Sequence, residues 1–150
     1  MSTLFEAPVV KPAFDPQAIH FVVFGKAVPQ GSTRAFIPKG WSRAIITTDN
    51  TKLKPWRQQI SATATELGAV PFAKDAALAI TLEFYFEKPP SVSKKRIHPT
   101  VLPDLDKICR SLFDGLTGIL FKDDAQIVDL RARKHYGTPE RCEIELREIR

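Results

Sequence analysis

Asp104-Leu-Asp106-Lys107-Ile-Cys-Arg110-Ser-Leu-Phe-Asp114-Gly-Leu-Thr-Gly-Ile-Leu-Phe-Lys122-Asp123-Asp124-Ala-Gln126-Ile-Val-Asp129 holds six of the chain's carboxylates and three cations within 26 residues. Its apolar positions, Leu105, Ile108, Cys109, Leu112, Phe113 and Leu116, recur at offsets of three and four, the spacing of one buried stripe on an α-helix. The remaining side carries Asp106, Arg110 and Asp114, with Asp106 and Arg110 four apart and therefore neighbours on the helix surface. Asp104 follows Pro103, where a helix can begin. Carboxylates two apart diverge within a regular helix, so Asp104 and Asp106 converge only if Asp104 lies in an extended lead-in and Asp106 in the first turn.

Beyond Gly115 and Gly118 come a brief apolar run, Ile119-Leu-Phe121, a polar turn, Lys122-Asp123-Asp124, and a β-like stretch over 126–135. Folding the turn against the helix start would gather Asp104, Asp106 and one of Asp123 and Asp124 into an all-oxygen cluster suited to a hard divalent cation such as magnesium. Without the cation such carboxylates repel and raise one another's pKa. The same residues also have a purely structural reading: acids early in a helix complement its dipole, and an Asp-Asp pair is ordinary turn chemistry.

The order Asp-Leu-Asp, a basic residue four positions on, a Leu-rich helix with a Leu-Phe-Asp-Gly-Leu end, and Asp-Asp-Ala-Gln-Ile-Val resembles the RusA-type family of Holliday junction resolvases. The likeness extends to Val22-Val-Phe-Gly-Lys26-Ala-Val-Pro-Gln-Gly-Ser-Thr-Arg34, to the run over 77–86 and to the Lys-Pro-Pro-Ser turn, covering most of residues 19–149. The resemblance implies a RusA-like homodimer, a crossover junction endodeoxyribonuclease dependent on Mg2+, frequent in phages and prophages. Carried onto this chain, it makes Asp104, Asp106 and Asp124 the catalytic, metal-binding carboxylates, with Asp123 beside them as a supporting ligand. Arg110 stands where the family commonly has lysine, exchanging a compact ammonium for a planar fork.

With 150 residues and 43% hydrophobic content, the chain suits a single domain with a real core. No apolar run approaches a membrane span, and the first sixteen residues lack the basic start and apolar core of a signal peptide, so a cytoplasmic protein is expected. Lys and Arg number 22 against 17 Asp and Glu, a net charge of +5 that favours encounter with a polyanion. Because the candidate site is acidic, the excess positive charge must lie elsewhere, as a DNA track requires. Cys109 and Cys142 sit on apolar positions of a helix and a strand and read as reduced core thiols rather than zinc ligands.

Residues 1–18, with Pro8, Pro12 and Pro16, read as a mobile arm ahead of a nuclease domain over 19–150. A first strand over 19–24 leads into a loop whose Lys26 and Arg34 are candidate phosphate contacts, or simply a solvated connection. Pro38-Lys39-Gly40-Trp41-Ser-Arg43 reads as a hairpin tip in which Trp41 packs and the two cations touch phosphate weakly. A helix over 51–67, capped by Asp49 or Asn50, turns Trp56, Ile60, Ala64 and Leu67 toward a sheet. Alternation of Leu78, Ile80, Leu82, Phe84 and Phe86 with a second fairly apolar set predicts a central strand covered on both faces. Lys94, Lys95 and Arg96 lie in a proline-rich cationic segment leading directly to Asp104, and with Lys107 they complete the expected DNA contacts. Strands over 126–135 and 141–149 flank a turn at 137–140, with Arg131, Arg133 and His135 facing DNA or pairing with Glu143 and Glu145 across a hairpin.

The expected architecture is thus α/β, a mixed sheet with two main helices. The expected activity is magnesium-dependent resolution of four-way DNA junctions by paired symmetric hydrolysis, in recombination and repair. A nuclease for other branched DNA, and a basic DNA-binding dimer that cuts nothing, are the alternatives.

Overall fold

Leu78, Ile80, Leu82, Phe84 and Phe86 are buried in strand β4 (Leu78–Phe86), and everything else in the fold is arranged about this strand. The computed structural model describes residues 17–31, 33–48 and 51–150, with the side chains of 33–35 and 46–48 outside that description. The expected arm therefore falls outside the described residues as far as residue 16, and the expected cap at Asp49 or Asn50 falls outside them altogether.

β4 lies between β5 (Ile127–Tyr136), parallel to it, and β6 (Arg141–Glu148), antiparallel to it. β1 (Ile19–Phe24) joins the far side of β6, giving the order β1-β6-β4-β5. Parallel neighbours need a long crossover, and here it is α2 (Leu105–Leu116), with residues 87–104 leading into it from the end of β4. The hairpin expected between the last two strands is not formed, because β4 lies between them. Residues 137–140 instead carry the chain over the end of β4, where the Gly137 N–H donates to the Phe86 carbonyl at 2.9 Å. His135 accordingly pairs with Glu83 on β4 rather than with a β6 glutamate.

Helix α1 (Leu53–Glu66) and α2 cover one face of the sheet. Leu53, Trp56, Ile60 and Ala64 of α1 meet Ile108, Leu112 and Leu116 of α2 in a core shared with the even-numbered side chains of β4. Leu67, expected on the buried face, is 39% exposed because α1 ends before it, and Leu53 takes the inward position a turn earlier. The two helices approach so closely at Gly115 that a Cβ there would lie 2.8 Å from Ile60. Ser61 fastens the contact by donating from Oγ to the Gly115 carbonyl at 2.7 Å.

The opposite face of β4 is not covered by a helix, contrary to expectation. Thr81, Glu83 and Tyr85 are half-buried there among long polar neighbours, with the Arg141 guanidinium 3.8 Å from the Tyr85 ring centroid. This is how an antiparallel or mixed sheet meets water on one side, through aromatic and ion-paired side chains rather than a second layer. β2 (Thr33–Phe36) and β3 (Ile45–Thr48) form a separate two-stranded ribbon, the expected hairpin. At its tip Trp41 is 61% exposed instead of packed. Both cysteines are free and buried, as read from the sequence. Among the described residues no helix is long and apolar enough to cross a membrane.

Candidate active site

Asp104 has the backbone the acidic motif requires: it precedes α2 in extended conformation, φ −68° and ψ 136°, with Asp106 in the first turn. Its carboxylate accepts no capping hydrogen bond and instead pairs with Lys107, one turn on, at 3.3 Å. Both side chains are about half-exposed, so the pair is a weak surface contact that a ligand can displace. Two further contacts fix this end of the site. The Lys107 carbonyl accepts from the Gln30 N–H at 3.0 Å, tying the basic loop after β1 to α2. Lys134, near the end of β5, donates from Nζ to the carbonyls of Val101 and Pro103 at 2.8 and 2.9 Å, holding the lead-in to Asp104.

An open groove of about 740 Å³ runs past Asp104, walled by Lys26, Lys52, Trp56, Gln59 and Lys107. Three lysines share the groove with Asp104, and Phe24, Val28, Pro55 and Leu102 give the rest of it an apolar wall. Gln59 was not singled out in the sequence, and Lys52 read there as facing water. Nothing in their spacing marks them, since only the packing of α1 beside the loop after β1 turns that face into a wall. Of the other expected DNA contacts, Lys94, Lys95 and Arg96 are exposed in the segment before α2, which is braced where the Lys88 Nζ donates to the Arg96 carbonyl at 2.6 Å. Arg34 stands in β2 with its side chain outside the described residues.

The second acidic group is built differently. Asp123 accepts from the Ala125 N–H at 2.9 Å and caps a single 3-10 turn, Asp124–Gln126. Gln126, 9% exposed, accepts at Oε1 from the N–H groups of Lys122 and Asp123 at 3.0 and 3.2 Å. Its Nε2 donates to the carbonyls of Ala73 and Ala76 at 2.8 and 3.1 Å. The glutamine of the motif therefore fastens the Asp123-Asp124 turn to the chain ahead of β4. Asp124 has its pKa raised, first by burial, then by a hydrogen bond and charge from Asp123 and by the charge of Asp114, with Arg110 acting the other way. Asp114, treated in the sequence only as part of the helix surface, thus belongs to this group. It also pairs with Arg57 of α1 at 3.1 Å.

The structure therefore brings Asp124 together with Asp123, Asp114 and Arg110, and Asp104 together with Lys107. Among the described residues Asp104, Asp106 and Asp124 do not form a group that could hold a metal ion. Asp104 lies immediately before α2, whereas Asp124 follows it in the 3-10 turn ahead of β5. Arg110 stands midway along the exposed side.

The sequence matches the family described as Endodeoxyribonuclease RusA over residues 26–147, a span that contains every residue just described. The chain belongs to the RusA endodeoxyribonuclease family. It is also 28% identical over 141 residues to YqaN of Bacillus subtilis (strain 168), described as an uncharacterized protein, covering 87% of this chain and 96% of that one.

RusA-type nucleases are generally dependent on a divalent metal. The donor chemistry of this RusA-family chain, carboxylates flanked by an arginine, suits a hard cation. The arrangement within one copy does not: among the described residues no three His, Cys, Asp or Glu side chains come close enough to hold a metal ion.

Proposed function

We propose that the protein is a structure-specific endodeoxyribonuclease that resolves four-way DNA junctions by paired, symmetric phosphodiester hydrolysis in recombination and repair. The observation that carries this reading is the family match over 26–147, which takes in both acidic groups and the basic loop between β1 and β2. Mg2+ is the proposed cofactor, supplying positive charge opposite the phosphate and a more acidic bound water. Asp104, Asp106 and Asp124 are the proposed ligands, with Asp123 supporting. Arg110 orients the scissile phosphate and stabilises charge on its oxygens. Lys26, Arg34, Lys94, Lys95, Arg96 and Lys107 line the track of the duplex arms. The working form is a homodimer acting in the cytoplasm, since a junction of near two-fold symmetry needs two matched cuts. A phage or prophage origin fits the same reading.

Incubation with a labelled four-way junction and a matched linear duplex, with magnesium or with chelator, tests the proposal on a denaturing gel. Paired magnesium-dependent cuts in the junction alone are expected; cuts of equal rate in flaps or linear duplex would replace junctions as the substrate. A second reading, a dimer that binds branched DNA without cutting it, is favoured by the lack, among the described residues, of three acidic or other ligand side chains that could hold a metal ion. Tight junction binding with no product under any divalent ion would establish it.

A further inference from the structure

The outer end of the β2–β3 ribbon, residues 36–45, is exposed apart from Pro38 and Ile45. Three of the exposed side chains there are large and apolar, Phe36 at 48%, Ile37 at 64% and Trp41 at 61%. A single apolar side chain on a surface is ordinary, but three within one short turn, one of them an indole, form a patch that the fold leaves largely in water. The tip is nevertheless closed. The Trp41 N–H donates to the Pro38 carbonyl at 3.0 Å, and Gly40 takes φ 86°, which the third residue of a type II turn needs and glycine adopts without strain. Trp41 is thus presented from a built turn, so less order has to be imposed when its ring is covered.

Charge selects what covers it. From residue 16 to residue 48 the sequence contains Lys26, Arg34, Lys39 and Arg43 and no aspartate or glutamate. Lys39 and Arg43 lie two residues either side of Trp41, are exposed, and make no ion pair among the described residues. An indole between two uncompensated cations matches a ligand that alternates π faces with anions, which is a nucleic acid strand. In a continuous duplex those faces are stacked on one another. They become available where the stack is interrupted, as it is at a branch.

The ribbon is rooted beside the acidic groove. Gly31 and Lys52, which bracket it in sequence, line the groove with Asp104, and the Gln30 N–H is bonded to the Lys107 carbonyl. At about 3.3 Å per residue from Thr33 to Gly40, the tip reaches at most about 23 Å from that root. That is about seven base steps of about 3.4 Å along a strand held at Asp104. We propose that Trp41 stacks on a nucleobase freed from the helical stack at a DNA branch, with Lys39 and Arg43 on the phosphates beside it, and that this contact distinguishes branched DNA from continuous duplex. The proposal rests on the nuclease reading for DNA as the ligand, and on the ribbon alone for the residue that recognises the branch.

The test uses the full chain in chelator, so that no strand is cut, with a labelled four-way junction and a linear duplex of matched sequence. Trp41→Ala and Trp41→Phe change an exposed position and should melt with the parent. Trp41→Ala should weaken junction binding by about 5- to 150-fold, the range for loss of one base–aromatic stack, and leave duplex binding within about two-fold; Trp41→Phe, which keeps a ring, should recover most of the loss. Fluorescence gives a second readout, because the only other tryptophan, Trp56, is 5% exposed in the core. The junction should quench the parent's emission and leave that of Trp41→Phe protein unchanged. Equal junction affinity in the parent and Trp41→Ala would overturn the contact, and a lower oligomeric mass of that variant would then assign the patch to a second copy of the chain. Equal losses on junction and duplex would overturn the recognition of the branch. Magnesium-dependent cutting of the junction by Trp41→Ala protein at parental affinity would leave the nuclease reading standing without this contact, whereas a parent that binds neither DNA would overturn both.

Discussion

Gln126 uses both ends of its amide, and the Asp123-Asp124 turn depends on it. Replacing it with alanine leaves two N–H groups and two carbonyls without their partner in a largely buried position. At about 1 kcal/mol for each net hydrogen bond, Gln126→Ala should cost about 2–4 kcal/mol in urea unfolding. Asp124 makes a prediction of opposite sign. Its pKa is raised, by burial first and by Asp123 and Asp114 next, so the folded chain holds this proton more tightly than the unfolded one. The associated stability is present below the unfolded carboxylate range and is lost as pH rises through the folded value. Asp124→Asn should therefore melt higher than the parent at neutral pH in chelator, with the difference vanishing toward acid; equal melting curves across that range would contradict it. Cys109 is pushed up to about 11, by burial and then by Asp106, so at pH 8 the native thiol should label slowly and become reactive only on unfolding.

At the scale of elements, the α1–α2 contact is the most sensitive joint in the fold. Gly115→Ala drives a Cβ into Ile60 and should destabilise by about 1–3 kcal/mol. Breaking the Arg57–Asp114 pair above it, about one-third exposed on each side, should cost less than about 1 kcal/mol. The two changes together test whether packing or charge joins the helices. α2 itself was legible in the sequence because its signal is local: the offsets of three and four, the proline before Asp104, and the extended lead-in all concern neighbours in the chain. β4 and β6 were legible for the same reason, through alternation. What local signals cannot carry is which strand lies beside which. A short turn between two alternating runs reads as a hairpin, and only the parallel crossover through α2 puts β4 between β5 and β6. The site inherited that limit. Asp104, Asp106 and Asp124 follow one another closely in sequence, yet among the described residues they form no group that could hold a metal ion, and no local signal announces that. Trp41 and Leu67 were misread because their exposure depends on where an element stops, not on its pattern.

For the whole molecule, charge and topology set separate expectations. Lys94, Lys95 and Arg96 are exposed and unburdened by core packing, so replacing all three with alanine should leave the melting temperature unchanged. If each contacts a phosphate, the slope of log affinity against log salt should flatten by about 2–3. An unchanged slope would take this segment off the DNA track. The strand order carries a different consequence. β6 lies between β1 and β4, pairing Ile19 with Leu146 on one side and Leu82 with Ile144 on the other, yet among the described strands it is made after both of them. Until residues 141–148 emerge, the first strand has no neighbour to hydrogen-bond and the sheet has a gap at its centre. Closure of the sheet thus waits on residues 141–148, and fragments that end before Arg141 should stay open to protease across β1 and β4, whereas those that include Glu148 become resistant there.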